Sequence, residues 1–289
     1  MNYVLRHVTR YAYETSVDLA SHMLHLTPRA VPGQLVLSHL IRADPAPSRT
    51  EDGTDHFGNP VCWLFIEAPH RRFEVTAEAR VAVDRPPPPV ASATPPASAI
   101  AALALDPASA PDAAEYLFDS PLAPADPAAA TFAKRFFPPD TPVLAGALAM
   151  MQTIHREFAF RAGITSLATT VAQVLKLQAG VCQDFSHLMI AALRAAGVPA
   201  RYVSGYIRTR PPAGATRRLG ADQSHAWVAV WLGPTHGWVE LDPTNGIIVK
   251  DEHVVLGWGR DFADISPLRG IILGGGRHRL TVGVDLEPV

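Results

Sequence analysis

The chain has 289 residues, a formal net charge of -2 at pH 7 and a hydrophobic fraction of 48%. This length exceeds that of most single domains, so the sequence predicts two domains or one domain with a large appendage. The near-neutral charge gives no electrostatic basis for a nucleic-acid partner. The sequence has no apolar run long enough to span a membrane and no recognisable signal peptide, so we expect a cytoplasmic protein without a membrane partner.

Only two cysteines, Cys62 and Cys182, occur in the chain. Two cysteines are too few for a disulfide framework, which favours a reducing compartment in which a free thiol survives. Cys62 lies in an apolar segment, Pro60-Val61-Cys62-Trp63-Leu64, and is predicted to be a buried strand thiol. Cys182 lies instead at the predicted start of a helix.

Residues 1–84 alternate between polar and apolar side chains, most clearly over residues 4–13 and 72–83. A period of two predicts β-strands, so we expect an antiparallel β domain in this region. Residues 85–142 are rich in proline and alanine. This composition predicts a linker that carries short helices at most, for example over residues 128–137.

Residues 143–289 begin with a helical period and continue with strands. Apolar spacings of three and four predict helices over residues 143–158, 171–177 and 182–196. Segments rich in Val, Tyr and Trp predict strands over residues 200–207, 225–232 and 237–242. The sequence therefore predicts an α+β core, with helices packed on an antiparallel sheet and a carboxy-terminal extension.

Cys182 follows Gly180 at the predicted start of the third helix. Free backbone N–H groups and the positive end of the helix dipole stabilise a thiolate at such a position. The same N–H groups can bind a developing oxyanion. A lone cysteine on an apolar helix is more often a core residue, so its position alone does not assign it a role.

A thiolate nucleophile needs a partner that transfers a proton to the leaving group, and His225 is the candidate. His187 is closer in sequence, but five residues along a helix turn it away from Cys182. A lone strand histidine is usually structural, so His225 also needs a second argument.

The following predicted strand places a carboxylate within reach of His225. If residues 233–236 form a four-residue hairpin loop, Asp242 falls opposite Trp227 and one diagonal step from His225 on the same face. A carboxylate there would orient the imidazole and stabilise the imidazolium. Glu240 shares this face and is the reserve candidate.

Four segments, in this order and spacing, resemble the core of the bacterial transglutaminase-like superfamily of cysteine enzymes. They are Gly-Val-Cys-Gln-Asp-Phe-Ser-His at 180–187, Gly-Val-Pro-Ala-Arg-Tyr-Val-Ser-Gly-Tyr at 197–206, Ser-His-Ala-Trp-Val at 224–228 and Gly-Trp-Val-Glu-Leu-Asp-Pro-Thr-Asn at 237–245. Residues 1–84 resemble the β-rich region often attached to that core, in His7-x-Thr9-x-Tyr11-x-Tyr13, Leu26-x-Pro28-Arg29 and Asp55-x-Phe57-Gly58-Asn59. Residues 259–264 resemble the segment that follows it.

The resemblance implies Cys182 as nucleophile, His225 as base and Asp242 as third member of a triad. It implies acyl transfer from a peptide or protein amide through a thioester, with hydrolysis preferred over transfer to an amine. The amine-accepting transglutaminase reaction stays open as an alternative. No cofactor is implied.

Several other residues have both a functional and a structural interpretation. Gln183, with the Cys182 N–H, could donate to an oxyanion or could simply be a first-turn helix residue. Trp227 and Trp238 could line an acyl-donor cleft, although aromatic residues on paired strands are more often core. His253 is expected near the cleft. Arg260 and Asp261 are expected to form a structural ion pair.

Two other functions are compatible with some of these residues. A zinc site from Cys182, His187, His225 and Asp242 has permitted ligand types but lacks a closely spaced ligand pair. A catalytically silent scaffold that binds peptides would need no such chemistry. No acidic loop predicts calcium binding, and we expect no metal. The oligomeric state is open.

Overall fold

The protein is described by a computed structural model that covers residues 1–108, 110, 112–209 and 223–289. Its amino-terminal part is an antiparallel sheet, as the alternating sequence predicts. The strands have the order β2-β5-β1-β4-β3. They are β1 Asn2–Leu24, β2 Gln34–Asp44, β3 Arg49–Thr54, β4 Pro60–Ile66 and β5 His70–Val83.

The proline- and alanine-rich segment contains short helices. Two are 3-10 helices, Ala91–Ala93 and Ala114–Leu117, and two are α-helices, α1 Ala97–Ala104 and α2 Pro127–Ala133. The sequence explains the start of α2, because Asp126 Oδ1 accepts from the N–H groups of Ala128 and Ala129 at 2.8 and 3.0 Å. Pro127 occupies the first helical position, where its missing N–H costs nothing.

Three helices precede the second sheet: α3 Val143–Glu157, α4 Val171–Leu177 and α5 Cys182–Ala195. Two-residue parallel strands, β6 Ala159–Phe160 and β7 Ala179–Gly180, flank α4. Thr170 caps α4 through a reciprocal pair of bonds with Gln173. Most side chains of α5 are buried, so α5 is the central helix of the core. In the described part of the chain, no helix is long and apolar enough to cross a membrane.

The second sheet is antiparallel and has the order β11-β10-β9-β8-β12. Its strands are β8 Ala200–Ile207, β9 Gln223–Trp231, β10 Trp238–Asp242, β11 Ile247–Ile248 and β12 His253–Gly259. Apolar residues of β8, β9 and β10 pack with α3 and α5 in the largest hydrophobic cluster. The predicted α+β core, with helices on an antiparallel sheet, is therefore confirmed.

The carboxy-terminal extension returns to the first sheet. Its strands, β13 Leu268–Gly274 and β14 His278–Pro288, both pair antiparallel with β1. The sequence predicts an extension but no partner for it, because strand alternation does not specify which edge a strand joins.

Stacked cations and indoles connect the two sheets. Arg29, from the segment after β1, and Arg201, on β8, both lie over the ring of Trp258, with guanidinium carbons 3.5 and 3.6 Å from its centroid. Arg201 also lies 4.2 Å from the ring centroid of Trp238. Arg201 is only 5% exposed, and burial lowers its pKa to about 10. The aromatic faces thus replace part of the water that a buried guanidinium loses.

We expect the protein to lose stability as the pH falls from 6.5 towards 4. Burial lowers the pKa of His7, His22 and His187 to about 4 each. Between pH 6.5 and pH 4 the unfolded chain binds protons that the folded chain does not. Each histidine should therefore lower the free energy of unfolding by roughly 2 kcal/mol at pH 5 relative to pH 7. Urea unfolding at both pH values measures this loss.

His22→Phe is the matched variant, since neither ring nitrogen of His22 has a hydrogen-bond partner among the described residues and the ring stacks on Phe73. The variant should unfold with a smaller difference between pH 7 and pH 5. An unchanged difference would show that His22 is not among the titrating groups.

Candidate active site

Cys182 is the first residue of α5 and is half-buried. The turn before it is held by Asp184, whose Oδ2 accepts from the Val181 N–H at 2.8 Å and from Thr165 Oγ1 at 2.7 Å. A Cβ on Gly180 would lie 2.8 Å from the same carboxylate oxygen. The glycine is therefore required for this close approach, which delivers Cys182 to the helix start.

The first turn of α5 leaves backbone donors available. The earliest intrahelical bond runs from the Phe185 N–H to the Val181 carbonyl at 3.1 Å, so the N–H groups of Cys182 and Gln183 precede it. Gln183 is half-buried in this turn. Its role as an oxyanion donor stays a prediction.

The hairpin that was predicted to bring His225 and Asp242 together is confirmed. Strands β9 and β10 pair Trp231 with Trp238 and Val228 with Leu241, and the Leu232 N–H donates to the Gly237 carbonyl at 2.8 Å. The loop of four residues therefore has the expected register, and one further step places Asp242 opposite Trp227.

Asp242 and Cys182 are both neighbours of the His225 imidazole. His225 Nε2 lies 2.7 Å from Asp242 Oδ2, and Cys182 is close enough to the same ring to affect its pKa. Because Nε2 faces Asp242, Nδ1 is the ring nitrogen that remains for a reaction partner. Burial alone would lower the pKa of His225, but the interactions with Asp242 and Cys182 outweigh burial and raise it.

Asp242 is 0% exposed and receives five N–H groups or ring nitrogens. Oδ1 accepts from the backbone of Thr244 at 2.9 Å and of Asn245 at 3.1 Å. Oδ2 accepts from His225, from Asn245 Nδ2 at 2.7 Å and from His253 Nε2 at 3.1 Å. Burial favours the neutral acid, but the bonds from the two histidines hold the carboxyl pKa well below its usual range.

Sequence reasoning missed Asn245 as a partner of Asp242. The signal was present, because Asp-Pro-Thr-Asn is a turn sequence in which an aspartate side chain often accepts from the backbone two and three residues later. The amide of Asn245 then reaches the second carboxylate oxygen. The turn thus fixes both oxygens of Asp242.

The lining role predicted for Trp227 is wrong, whereas His253 lies next to Asp242, near the cleft as expected, but is closed off from a substrate. Trp227 is 0% exposed and donates from Nε1 to Glu240 Oε2 at 2.7 Å. His253 is 1% exposed. Neither side chain presents a surface to a ligand. Glu240, the reserve candidate, binds Trp227 and Arg85 instead of His225.

Trp238 is half-buried and does line a cavity of about 500 Å³, with Arg85, Arg201 and residues 86–89. It stands four residues before Asp242 on β10, which is about 13 Å along a strand. Its predicted role in an acyl-donor cleft stays a prediction.

Two further expectations concern residues outside the site. His187 is turned away, as predicted, and its Nε2 accepts from the Phe262 N–H at 3.2 Å. The ion pair predicted between Arg260 and Asp261 is wrong, because Arg260 Nε binds Asp264 Oδ2 at 2.9 Å. Asp261 instead accepts from backbone N–H groups.

The four residues considered for a zinc site do not come together in this structure, since His187 is turned away and bonds to the Phe262 N–H. A different trio, His225, Asp242 and His253, places one nitrogen or oxygen each within 4.8 Å of the others. The two N–O distances of 2.7 and 3.1 Å are those of hydrogen bonds. Ligands on one tetrahedral zinc ion lie farther apart, at about 3.3 Å for bonds near 2.0 Å. Hydrogen bonds therefore explain the close contacts of these three side chains better than a shared metal ion does.

Comparison with known proteins agrees with the fold. Residues 3–82 match the bacterial transglutaminase-like N-terminal region, and residues 130–243 match the transglutaminase-like superfamily. An uncharacterized protein of Mycobacterium tuberculosis is 36% identical over 292 residues, which cover 99% of this chain and 92% of that protein. The chain therefore belongs to the transglutaminase-like superfamily.

Two other similarities are narrower. A protein-glutamine gamma-glutamyltransferase of Pseudomonas aeruginosa is 36% identical over 100 residues, 32% of this chain and 15% of that protein. A solved structure from Cytophaga hutchinsonii, provisionally assigned as a cysteine protease, has a TM-score of 0.75 at 21% identity and covers 99% of this chain and 90% of that chain. At this identity the likeness concerns the fold.

We expect iodoacetamide to label Cys182 at pH 7 and to leave Cys62 unlabelled. Cys62 is buried on β4, and burial, with the nearby Asp52, raises its pKa to about 12. The two thiols of one chain are then each other's control, and peptide mass mapping separates them. Equal labelling of both cysteines would contradict a special environment at Cys182.

Proposed function

We propose that the protein is a thiol-dependent acyl-transfer enzyme that acts on peptide or side-chain amides. Cys182 is the nucleophile, His225 the acid and base, and Asp242 the group that orients His225. The observation that carries the proposal is the His225 ring, which is bonded to buried Asp242 through Nε2 and has Cys182, at the start of α5, as a neighbour. This arrangement combines a nucleophile, a base and an orienting carboxylate.

Acylation begins with attack of the Cys182 thiolate on the amide carbonyl carbon, which forms a C–S bond and moves the π electrons to oxygen. The N–H groups at the start of α5 stabilise that oxyanion. Collapse of the tetrahedral adduct restores the carbonyl and breaks the C–N bond. The Nδ1–H of the His225 imidazolium protonates the departing amine, and a thioester on Cys182 remains.

Deacylation reverses these proton movements. His225, now neutral, takes a proton from the acceptor as the acceptor attacks the thioester carbonyl. The C–S bond then breaks and returns the thiolate and the imidazolium. Throughout, Asp242 keeps its negative charge and holds Nε2–H, so that Nδ1 faces the reacting atoms.

We favour water as the acceptor, which makes the enzyme a protease or amidase. The family resemblance of the sequence implies hydrolysis, and the Cytophaga hutchinsonii chain, provisionally assigned as a cysteine protease, has the same fold. A primary amine is the second candidate, because the Pseudomonas aeruginosa relative is a protein-glutamine gamma-glutamyltransferase. Its similarity is limited to 100 residues.

Casein is a suitable first substrate, since it offers peptide and glutamine amides together. Release of peptide fragments would indicate hydrolysis, and incorporation of dansylcadaverine would indicate amine transfer. Ammonia release indicates hydrolysis only when the lysines of casein are first blocked by methylation, because free lysines can accept the acyl group. Cys182→Ser should abolish either reaction. Activity that survives in Cys182→Ser would contradict the proposal.

Asp242→Asn should lower kcat by about a hundredfold or more while changing KM little, because the amide no longer enforces the ring tautomer that His225 needs. Progress curves on the same casein substrate measure both constants. Cys62→Ala is the matched control, since Cys62 is buried in the other sheet, and it should keep wild-type kcat. An Asp242→Asn enzyme with unchanged kcat would remove Asp242 from the triad.

A further inference from the structure

His253 forms a bond across the inside of the second sheet. It lies on β12 and Asp242 lies on β10, with β8 and β9 between them in the strand order. In a flat sheet these strands would be about 14 Å apart. The 3.1 Å between His253 Nε2 and Asp242 Oδ2 therefore shows that the sheet curls until its two sides meet at this carboxylate.

The ring of His253 has no hydrogen-bond partner other than Asp242 in the described part of the chain. Its Nδ1 is buried and has no hydrogen-bond partner there. The ring packs edge-on against Trp227, with centroids 5.1 Å apart, and Trp227 is itself held by its bond to Glu240. Packing thus fixes the ring, and among the described residues Asp242 is the one hydrogen-bond partner of that ring.

These contacts select one tautomer of His253. With hydrogen on Nε2, the neutral ring donates to the Asp242 carboxylate and leaves only a lone pair unpartnered at Nδ1. With hydrogen on Nδ1, a lone pair would face the carboxylate oxygen and a buried N–H would lack an acceptor. The first arrangement is favoured because unpaired buried donors and facing lone pairs both destabilise a structure.

We propose that His253 is a positioning residue: as a neutral Nε2–H donor it holds the Asp242 carboxylate in place and divides the negative charge of Asp242 between two imidazoles. The inference rests on the proposed function, in which Asp242 orients His225. The ionisable groups around this pair are His225 on β9 and Cys182 on α5. Glu240 lies beyond Trp227 and is paired with Arg85.

Loss of the His253 donor should make Asp242 a stronger partner for His225. The carboxylate would then have one donor fewer, and the imidazolium of His225 would gain more of its charge. We expect His253→Phe, which keeps the ring and removes the donor, to raise the His225 titration midpoint by roughly half a pH unit or more. His253→Gln keeps an N–H near the position of Nε2 and should restore the wild-type midpoint.

The experiment is 15N NMR of the full chain labelled on its histidines, with His253 and His225 assigned from the variants. In the wild type, His253 should show a protonated Nε2 and an unprotonated Nδ1 at pH 7. A protonated Nδ1 would overturn the proposal, and this result needs no variant to fold. Equal His225 midpoints in wild type, His253→Phe and His253→Gln would overturn it as well.

Failure of the proposed function would look different. If His225→Ala does not alter the rate at which iodoacetamide labels Cys182, the thiol and imidazole are not paired and the acyl-transfer proposal fails. If His225→Ala slows labelling while His253→Phe leaves the His225 midpoint unchanged, the triad stands and His253 is only a packing residue.

Discussion

The buried carboxylate of Asp242 is the interaction on which the site and much of the second sheet depend. A carboxylate without water is costly unless donors surround it. Here the donors come from β9, from β12 and from the turn after β10. The charge that orients His225 therefore also ties three parts of the sheet together. Stability and the alignment of the site are consequences of one set of hydrogen bonds.

The parts of this arrangement that are local in sequence were predictable. Gly180 before Cys182 marks a helix start, and a helix does begin at Cys182. Residues 233–236 form the expected loop, which fixes the register of β9 and β10. Helix and strand boundaries follow the apolar period closely, as in α4 and β8. Short-range rules suffice where the contact partners are near neighbours along the chain.

Features that depend on how the sheet curls were not predictable. Strand alternation places Trp227 and His225 on one face, but it does not show that the curl covers Trp227 completely. His253 meets Asp242 only because β12 folds round towards β10. Gly205 leaves room for the buried Trp227 ring, since a Cβ there would approach Trp227 Cη2 to 2.4 Å. No pattern in the sequence predicts the contact between His253 and Asp242. The same is true of the stacking of Arg201 on two tryptophan rings.

The position of β1 also has a consequence for how the chain folds. One edge of β1 pairs with β5, which is synthesised soon afterwards, whereas the other edge pairs with β14, which is synthesised after all the other described strands. Until β14 emerges from the ribosome, a long strand exposes unpaired backbone groups and can recruit other strands. The high sequence separation of this pairing also predicts slow folding. Aggregation during synthesis is thus the hazard that this topology carries, and chaperones that shield strand edges would relieve it.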